Sequence, residues 1–502
     1  MKVNKAIIKM ESACQPVLSE SLVEGRLSLP ADRADIERVL FVQGRIYVNA
    51  EPADGKVFMD GNVEFTVVYI GIDGGIDSFE AVSPFRHTED MAGACAGMNI
   101  LARGSVREVS SCVEEGRTVS VKGVVSVQLN GSVTKSREAV TGAEQPNLQT
   151  KTTNKRLKIT RDQRRETAYI REDVRVPQTM PVAEKVLFAD AYAIVRGVRT
   201  EDLKVIVEGD IKLTVLYLSA DKGAPLQQMI ETMPFGQIIA SEGIAASDTI
   251  YADAALTDVQ VNVADEASDV LRLSARMIIS CVAKGESETQ YMEDAYSLDN
   301  RLDIQYDNQI CKEMVLTGNA RAIARSAIAI PASQPAVSRI ICLRAMPNIA
   351  AVRPGVDRVY IEGLMMYTMC YYSSEGMWSY SGETPFEAEV SIDGVKPEHD
   401  VEICADVESC TFDGTGRDIS VKFMMDVEIR AFAQTNLRLV SSLSKTDERV
   451  LTRQGITIYF ADGGESTWDI AKRFAATLET VKKFNPEIGD KAEIGQKILI
   501  MS

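Results

Sequence analysis

Histidines, cysteines and paired carboxylates would carry catalysis or hold a metal, and in this chain they are few or poorly spaced. Only His87 and His399 occur, which nearly excludes paired-histidine catalysis and His-rich zinc sites. The nine cysteines are Cys14, Cys95, Cys112, Cys281, Cys311, Cys342, Cys370, Cys404 and Cys410. None forms a C-x-x-C pair and the number is odd, so buried free thiols of a reducing compartment are expected rather than a disulfide framework. Cys95 and Cys404 are the thiols nearest a histidine, and neither has triad-like surroundings. Acid pairs such as Glu114-Glu115 sit beside hairpin turns, where solvated faces are expected rather than a glycosidase dyad. Asp73-Gly74-Gly75 and Asp462-Gly463-Gly464 are turn chemistry, and neither opens a strand-to-helix phosphate loop. The expectation is no enzyme, no cofactor and no metal.

Charge narrows the partners. Across 502 residues, 55 Lys and Arg face 72 Asp and Glu, a formal net charge of −17 at pH 7. That argues against nucleic acid, whose phosphates need clustered cations. Hydrophobic residues make up 45% and charged residues 25%, a globular composition whose length suggests about three domains. Lys5 and Lys9 break the opening MKVNKAIIKM, so no signal peptide is expected. No run approaches the ~18 apolar residues of a membrane span. A cytosolic protein without a transmembrane segment is expected.

The elements that position these residues repeat. KVFMDGNVEFTVVY at 56–69 recurs as KVIVEGDIKLTVLY at 204–217 and RVYIEGLMMYTMCY at 358–371. Gly61, Gly209 and Gly363 align at spacings of 148 and 154, with Thr66, Thr214 and Thr368 and Tyr69, Tyr217 and Tyr371 in register. Pro30, Pro177 and Pro331 precede them, each followed nine residues later by an apolar pair: Val39-Leu40, Val186-Leu187 and Ile340-Ile341. Pro84-Phe85, Pro234-Phe235 and Pro385-Phe386 follow. The spacing predicts three homologous units at 1–148, 149–302 and 303–450.

Period two dominates each unit. Val57, Met59, Val63, Phe65, Val67 and Tyr69 share one face, while Asp60, Asn62, Glu64 and Thr66 share the other, the pattern of a half-buried strand. Turn signals at Asp73-Gly74-Gly75, Asp221-Lys222-Gly223 and Ser374-Glu375-Gly376 convert each segment into a hairpin. The mid-strand glycine marks a bulge or a close backbone approach. The fold class expected is mainly β: three tandem antiparallel β-sandwich-like repeats, followed by a small α+β (βααβ) unit. A short helix is expected at 33–40 and its counterparts. Residues 151–165 carry seven basic residues against one acid and read as a solvated inter-domain strand or linker, with an electrostatic patch as the alternative.

From Ile456 the pattern changes. ITIYF reads as a strand, STWDIAKRFA as a helix capped by Ser466 or Thr467, TLETVKKF as a second helix ended at Asn485-Pro486, and KILIM as a strand. This order, with W-D-I-A-x-x-F, N-P and I-G-Q-x-I-x-I, resembles a LysM domain over 455–502. The resemblance implies a shallow groove for N-acetylglucosamine polymers, walled by Gly464, Glu465, Ser466, Thr467 and Trp468 and by Asn485, Pro486, Glu487 and Ile488. Gly464-Glu465-Ser466-Thr467 departs from the family's G-D-T-L. Trp468 reads equally as core cover or as a partner's anchor.

Repeats of this kind before a C-terminal LysM, with D-A-Y-S at 294–297, resemble the SPOCS-domain spore coat morphogenetic proteins of spore-forming Firmicutes. That resemblance implies a scaffold on the mother-cell side of the forespore. Its LysM domain would dock on the coat basement ATPase, stage IV sporulation protein A, and other coat proteins could add to the β repeats. The alternative is a LysM protein that binds peptidoglycan in the cell wall.

Overall fold

The computed structural model describes residues 1–201, 203–221, 225–241, 243–245, 247–264, 268–450 and 455–501. The expected turn residues Lys222 and Gly223, and Ser502, lie outside the described residues. The first copy comprises β1 (Lys2–Ala13), β2 (Val17–Ser28), β3 (Ile36–Ala53), β4 (Lys56–Gly71), β5 (Ile76–Asp90), β6 (Asn99–Glu114) and β7 (Thr118–Glu144). Its β3-β4-β5 sheet packs on a second sheet, in which β7 pairs with β1, β2 and β6.

The second copy repeats this with β8 (Leu148–Arg175), β9 (Ala183–Glu201), β10 (Lys204–Ser219), β11 (Leu226–Ala240), β12 (Thr249–Val263) and β13 (Val270–Ser297). The third has β14 (Asn300–Ala329), β15 (Arg339–Pro354), β16 (Arg358–Ser373), β17 (Gly376–Ser391), β18 (Asp400–Asp413) and β19 (Asp418–Arg449). The corresponding sheets are β9-β10-β11 with β8-β13-β12, and β15-β16-β17 with β14-β19-β18. Last come β20 (Ile456–Phe460), α1 (Thr467–Arg473), α2 (Leu478–Phe484) and β21 (Lys497–Met501), a βααβ unit. The chain is mainly β, built of antiparallel two-sheet repeats and a small α+β tail, as expected.

The repeated motifs have distinct physical jobs. A Cβ on Gly61, Gly209 or Gly363 would fall 1.8, 2.1 or 2.2 Å from the carbonyl oxygen of Tyr47, Ile194 or Asn348 on the neighbouring strand. The glycine is therefore a close backbone approach in every copy. Phe85, Phe235 and Phe386 stand directly across from these glycines and fill the missing side chain. Pro84, Pro234 and Pro385 precede them on β5, β11 and β17, which are edge strands that need no outward N–H. The Gly-Arg turn of copies one and three clamps the proline corner: Arg117 donates to Pro30 O at 2.9 Å and Arg417 to Pro331 O at 2.6 Å.

The helix expected at 33–40 is absent. Arg33 closes a turn on Pro30, and β3 begins at Ile36. The apolar pair is instead a β-bulge in all three copies: register skips Leu40 between Val39 and Phe41, Leu187 between Val186 and Phe188, and Ile341 between Ile340 and Cys342. A bulge turns consecutive apolar residues inward, which imitates helical spacing.

Those bulges fuse the repeats. Besides one core per copy, a junction core joins Leu40, Phe41 and Val68 with Leu187, Phe188 and Leu216 and with Cys342, Cys370 and Met377. Val68, Leu216 and Cys370 lie on the face expected to be solvated, and burial there corrects that reading. The far halves of β7, β13 and β19 pair with β1, β8 and β14 as three ribbons. These meet around Met10, Ala139, Leu157, Tyr291, Cys311 and Leu439. Residues 151–165 belong to the β8 ribbon, so they form a paired strand and not a linker. All nine thiols are free, but only Cys281, Cys311, Cys342 and Cys370 are fully buried, and Cys112 is exposed.

Candidate functional site

The tail assembles its site from two short helices. Ser466 caps α1 by accepting from Asp469 N at 3.1 Å, and Thr477 caps α2 by accepting from Thr480 N at 3.1 Å. Ile470, Ala471, Val481, Ile498 and Ile500 close a core beneath β20–β21. Such a small core leaves no side chain idle.

Most residues expected to wall a groove are committed within the chain. Thr467 is buried and donates to Gly489 O at 2.6 Å. Asn485 donates to Val481 O and Leu499 O at 2.8 and 2.7 Å and accepts from Leu499 N at 2.7 Å, pinning α2 to β21. Ile488 is buried. Glu465 accepts from Tyr459 Oη and from Arg473, both at 2.6 Å. The Tyr459 hydroxyl, with Arg473, holds the Glu465 carboxyl below its usual range. Gly464, with φ +76, donates to Ala492 O at 3.0 Å and stays exposed, as do Pro486 and Glu487. The first loop contacts 489–492 through Thr467 N to Asp490 O and Ala492 N to Glu465 O. The two expected walls therefore meet one step beyond Ile488.

Trp468 faces the rest of the chain. Its ring lies edge-on to Tyr296, with centroids 4.9 Å apart, and its Nε1 donates to Asp294 Oδ2 at 2.9 Å. Lys472 Nζ reaches both Asp294 oxygens at 2.7 and 2.8 Å, and Tyr306 donates to Oδ1 at 2.6 Å. Tyr296 donates to Ala476 O at 2.7 Å. Burial pushes the Asp294 pKa up, but Lys472, Tyr306 and Trp468 outweigh it and the net direction is downward. Burial, together with the Asp294 charge, pushes Tyr306 and Tyr296 each up to about 12. The tail is thus docked on β13 through the D-A-Y-S segment. In the sequence, the D-A-Y-S segment itself, within a stretch YMEDAYS that mixes apolar residues with two acids, was the one signal of this contact.

A second polar centre lies where the copies meet. Arg103, Asp253 and Cys404 occupy equivalent positions on β6, β12 and β18. Arg103 pairs with Asp253 and, at 2.5 Å, with Glu428. Burial raises Glu428, but Arg103 and Arg430 overcome it and bring the carboxyl down to about 2. Asp190 receives Arg45 from the first copy at 3.3 Å and Arg344 from the third at 2.9 Å. Arg103, Asp253, Cys404 and Glu428 border a cavity of about 1180 Å³ lined by all three copies. Among the described residues no group of three or more His, Cys, Asp or Glu is placed to hold a metal ion. No helix among them is long and apolar enough to cross a membrane.

Residues 35–114, 183–264 and 336–414 match the family model described as SipL, SPOCS domain. Each match runs from the first hairpin sheet into the strand that follows it, so the three fall at equivalent places in the three copies. No curated protein and no solved structure matches the chain. Each of the three repeats therefore contains a segment similar to the SPOCS domain of the SipL family, a likeness that suggests a sporulation-related role.

Proposed function

We propose that the chain is a non-enzymatic scaffold of spore coat assembly, acting in the mother cell at the forespore surface. Its SPOCS units, read as 1–148, 149–302 and 303–450, hold a LysM-type unit at 455–502. That unit recruits a protein partner, the coat basement ATPase of the stage IV sporulation protein A type. The observation that carries this reading is the docked tail. With Trp468 turned inward on Asp294, the tail offers a partner Gly464, Pro486 and Glu487, and the apolar strand face of Ile456, Ile458 and Phe460 (71%, 52% and 61% exposed). An exposed apolar patch of this kind suits a protein surface. With Thr467, Asn485 and Ile488 bonded or buried within the unit, fewer groups remain for a glycan.

The test is co-purification of the full chain with the basement ATPase, alongside retention on insoluble peptidoglycan. Phe460→Asp and Glu487→Lys are expected to weaken capture of the ATPase. Retention on peptidoglycan with no capture of the ATPase overturns the scaffold reading. A fluorescent fusion is expected to ring the forespore, and cell-wall or diffuse signal counts against it.

A further inference from the structure

The repeats treat their sheet edges unequally. On the hairpin sheets, the edge strands β5, β11 and β17 each carry the aligned proline, which blocks pairing with another chain. On the second sheets, β2 and β8 are also edge strands, and neither contains a proline. The equivalent β14 is partly covered, since Ser326 Oγ packs on Thr384 and reaches Pro385 O of β17 at 3.4 Å. Among the described residues, the β2 edge of copy one and the β8 edge of copy two carry neither a proline nor such a cover.

These two edges differ in charge around a common apolar point. Eight residues before the aligned proline stand Leu22 and Tyr169, 63% and 77% exposed. In copy one Leu22 is flanked by Glu20 and Glu24. The Glu24 pair with Lys122, at 2.7 Å, is exposed and contributes little. In copy two Tyr169 is flanked by Arg171 and stands across from Arg276 on β13. Arg171 makes no ion pair among the described residues, and Arg165 and Arg175 extend the basic edge. Laid side by side in the same direction with Leu22 beside Tyr169, Glu24 falls beside Arg171 and Arg26 beside Asp173.

We propose that the chain self-associates head to tail, with the β2 edge of one copy adding to the β8 edge of a second copy. Main-chain hydrogen bonds join the two sheets, the Leu22–Tyr169 contact supplies apolar burial, and the Glu24–Arg171 and Arg26–Asp173 pairs set register and disfavour in-register β2–β2 or β8–β8 pairing. Because the two surfaces differ, each added chain leaves one of each open, so the contact propagates or closes as a ring. This goes beyond recruitment by the tail and uses none of its residues.

Sedimentation velocity of the full chain over a concentration series, at low and high salt, tests it. The weight-average mass is expected to rise with concentration and to fall with salt. Glu24→Arg and Arg171→Glu are each expected to shift half-association to about tenfold higher concentration. Glu24→Arg/Arg171→Glu in one chain should restore it, with circular dichroism unchanged throughout. A monomer at every concentration overturns the proposal. So does association indifferent to both reversals, or a double variant that fails to recover what the single variants lose.

Discussion

The Trp468 indole donates to Asp294 across 174 residues of sequence, at 2.9 Å, so the last unit is fastened to the second repeat. The same carboxylate holds Lys472 and Tyr306, which makes Asp294 the hub of the contact. Trp468 is not a free anchor: the residue is only 8% exposed and its indole N–H already has its partner.

Asp294→Ala should therefore release the tail while leaving the repeats folded. Losing hydrogen bonds to a charged group costs about 2–3 kcal/mol. The chain has two tryptophans, so the change is best read in a Trp378→Phe background as a red shift of Trp468 emission. The pH dependence follows from the lowered Asp294 pKa. The stabilisation is complete above the unfolded carboxylate range and is lost as pH falls through the depressed folded value. An emission maximum that stays unshifted in Asp294→Ala would refute the docking.

Arg103→Leu should loosen all three copies together. It leaves Asp253 and Glu428, carboxylates of two other repeats, to share Arg430 alone. Removing one partner of such a network costs about 3–5 kcal/mol. Urea unfolding should show a lower midpoint. Acid sensitivity should begin at a higher pH, because Glu428 keeps Arg430 but loses Arg103, the larger of the two cations that bring it down to about 2. Its contribution, present above the unfolded pKa, then disappears earlier as pH falls.

Gly363→Ala should destabilise the third repeat by about 1–3 kcal/mol through overpacking. Its Cβ would sit 2.2 Å from Asn348 O and 3.0 Å from the Phe386 ring. Gly197→Ala on β9 is the control, since nothing lies within 4 Å of its Cβ. Thermal melts of the two variants should separate clearly, and equal melting temperatures would refute the close-approach role.

Legibility followed physical range. Val57 through Tyr69 reveal a strand because alternation is local, and Gly61 with Phe85 can be read because a glycine inside a strand needs a reason. Leu40 misled because a bulge borrows the helix's habit of placing neighbouring apolar residues on one side. Val68 looked like part of a solvated face because its partners, Phe188 and Cys342, belong to other repeats. No single-strand pattern encodes a junction of three copies. Within the tail, Ser466 announced the first helix and apolar spacing the second, whereas the Thr477 cap came from the structure. The direction of Trp468 depended on Tyr296, which lies in another unit.

Asp406→Asn should stabilise the protein at neutral pH. Asp406 is exposed to the cavity, yet desolvation by the protein around it pushes its carboxyl up to about 6; Arg103 opposes that shift, while Asp190, Glu428 and Asp426 add to it. A folded pKa above the ordinary 3.8 means that the fold prefers the protonated form. The favourable contribution is complete below the unfolded pKa and is lost as pH rises through about 6. The wild-type chain should therefore gain stability between neutral pH and about pH 4, net of whatever its other carboxylates lose. Water in the cavity screens part of the effect, so about 1 kcal/mol is expected at neutral pH from the amide, which cannot ionise. Urea midpoints at pH 7.5 and pH 4.5 decide the matter. The Asn variant should exceed wild type at the higher pH and lose that advantage at the lower one. An advantage of equal size at both values would assign the effect to packing rather than to charge.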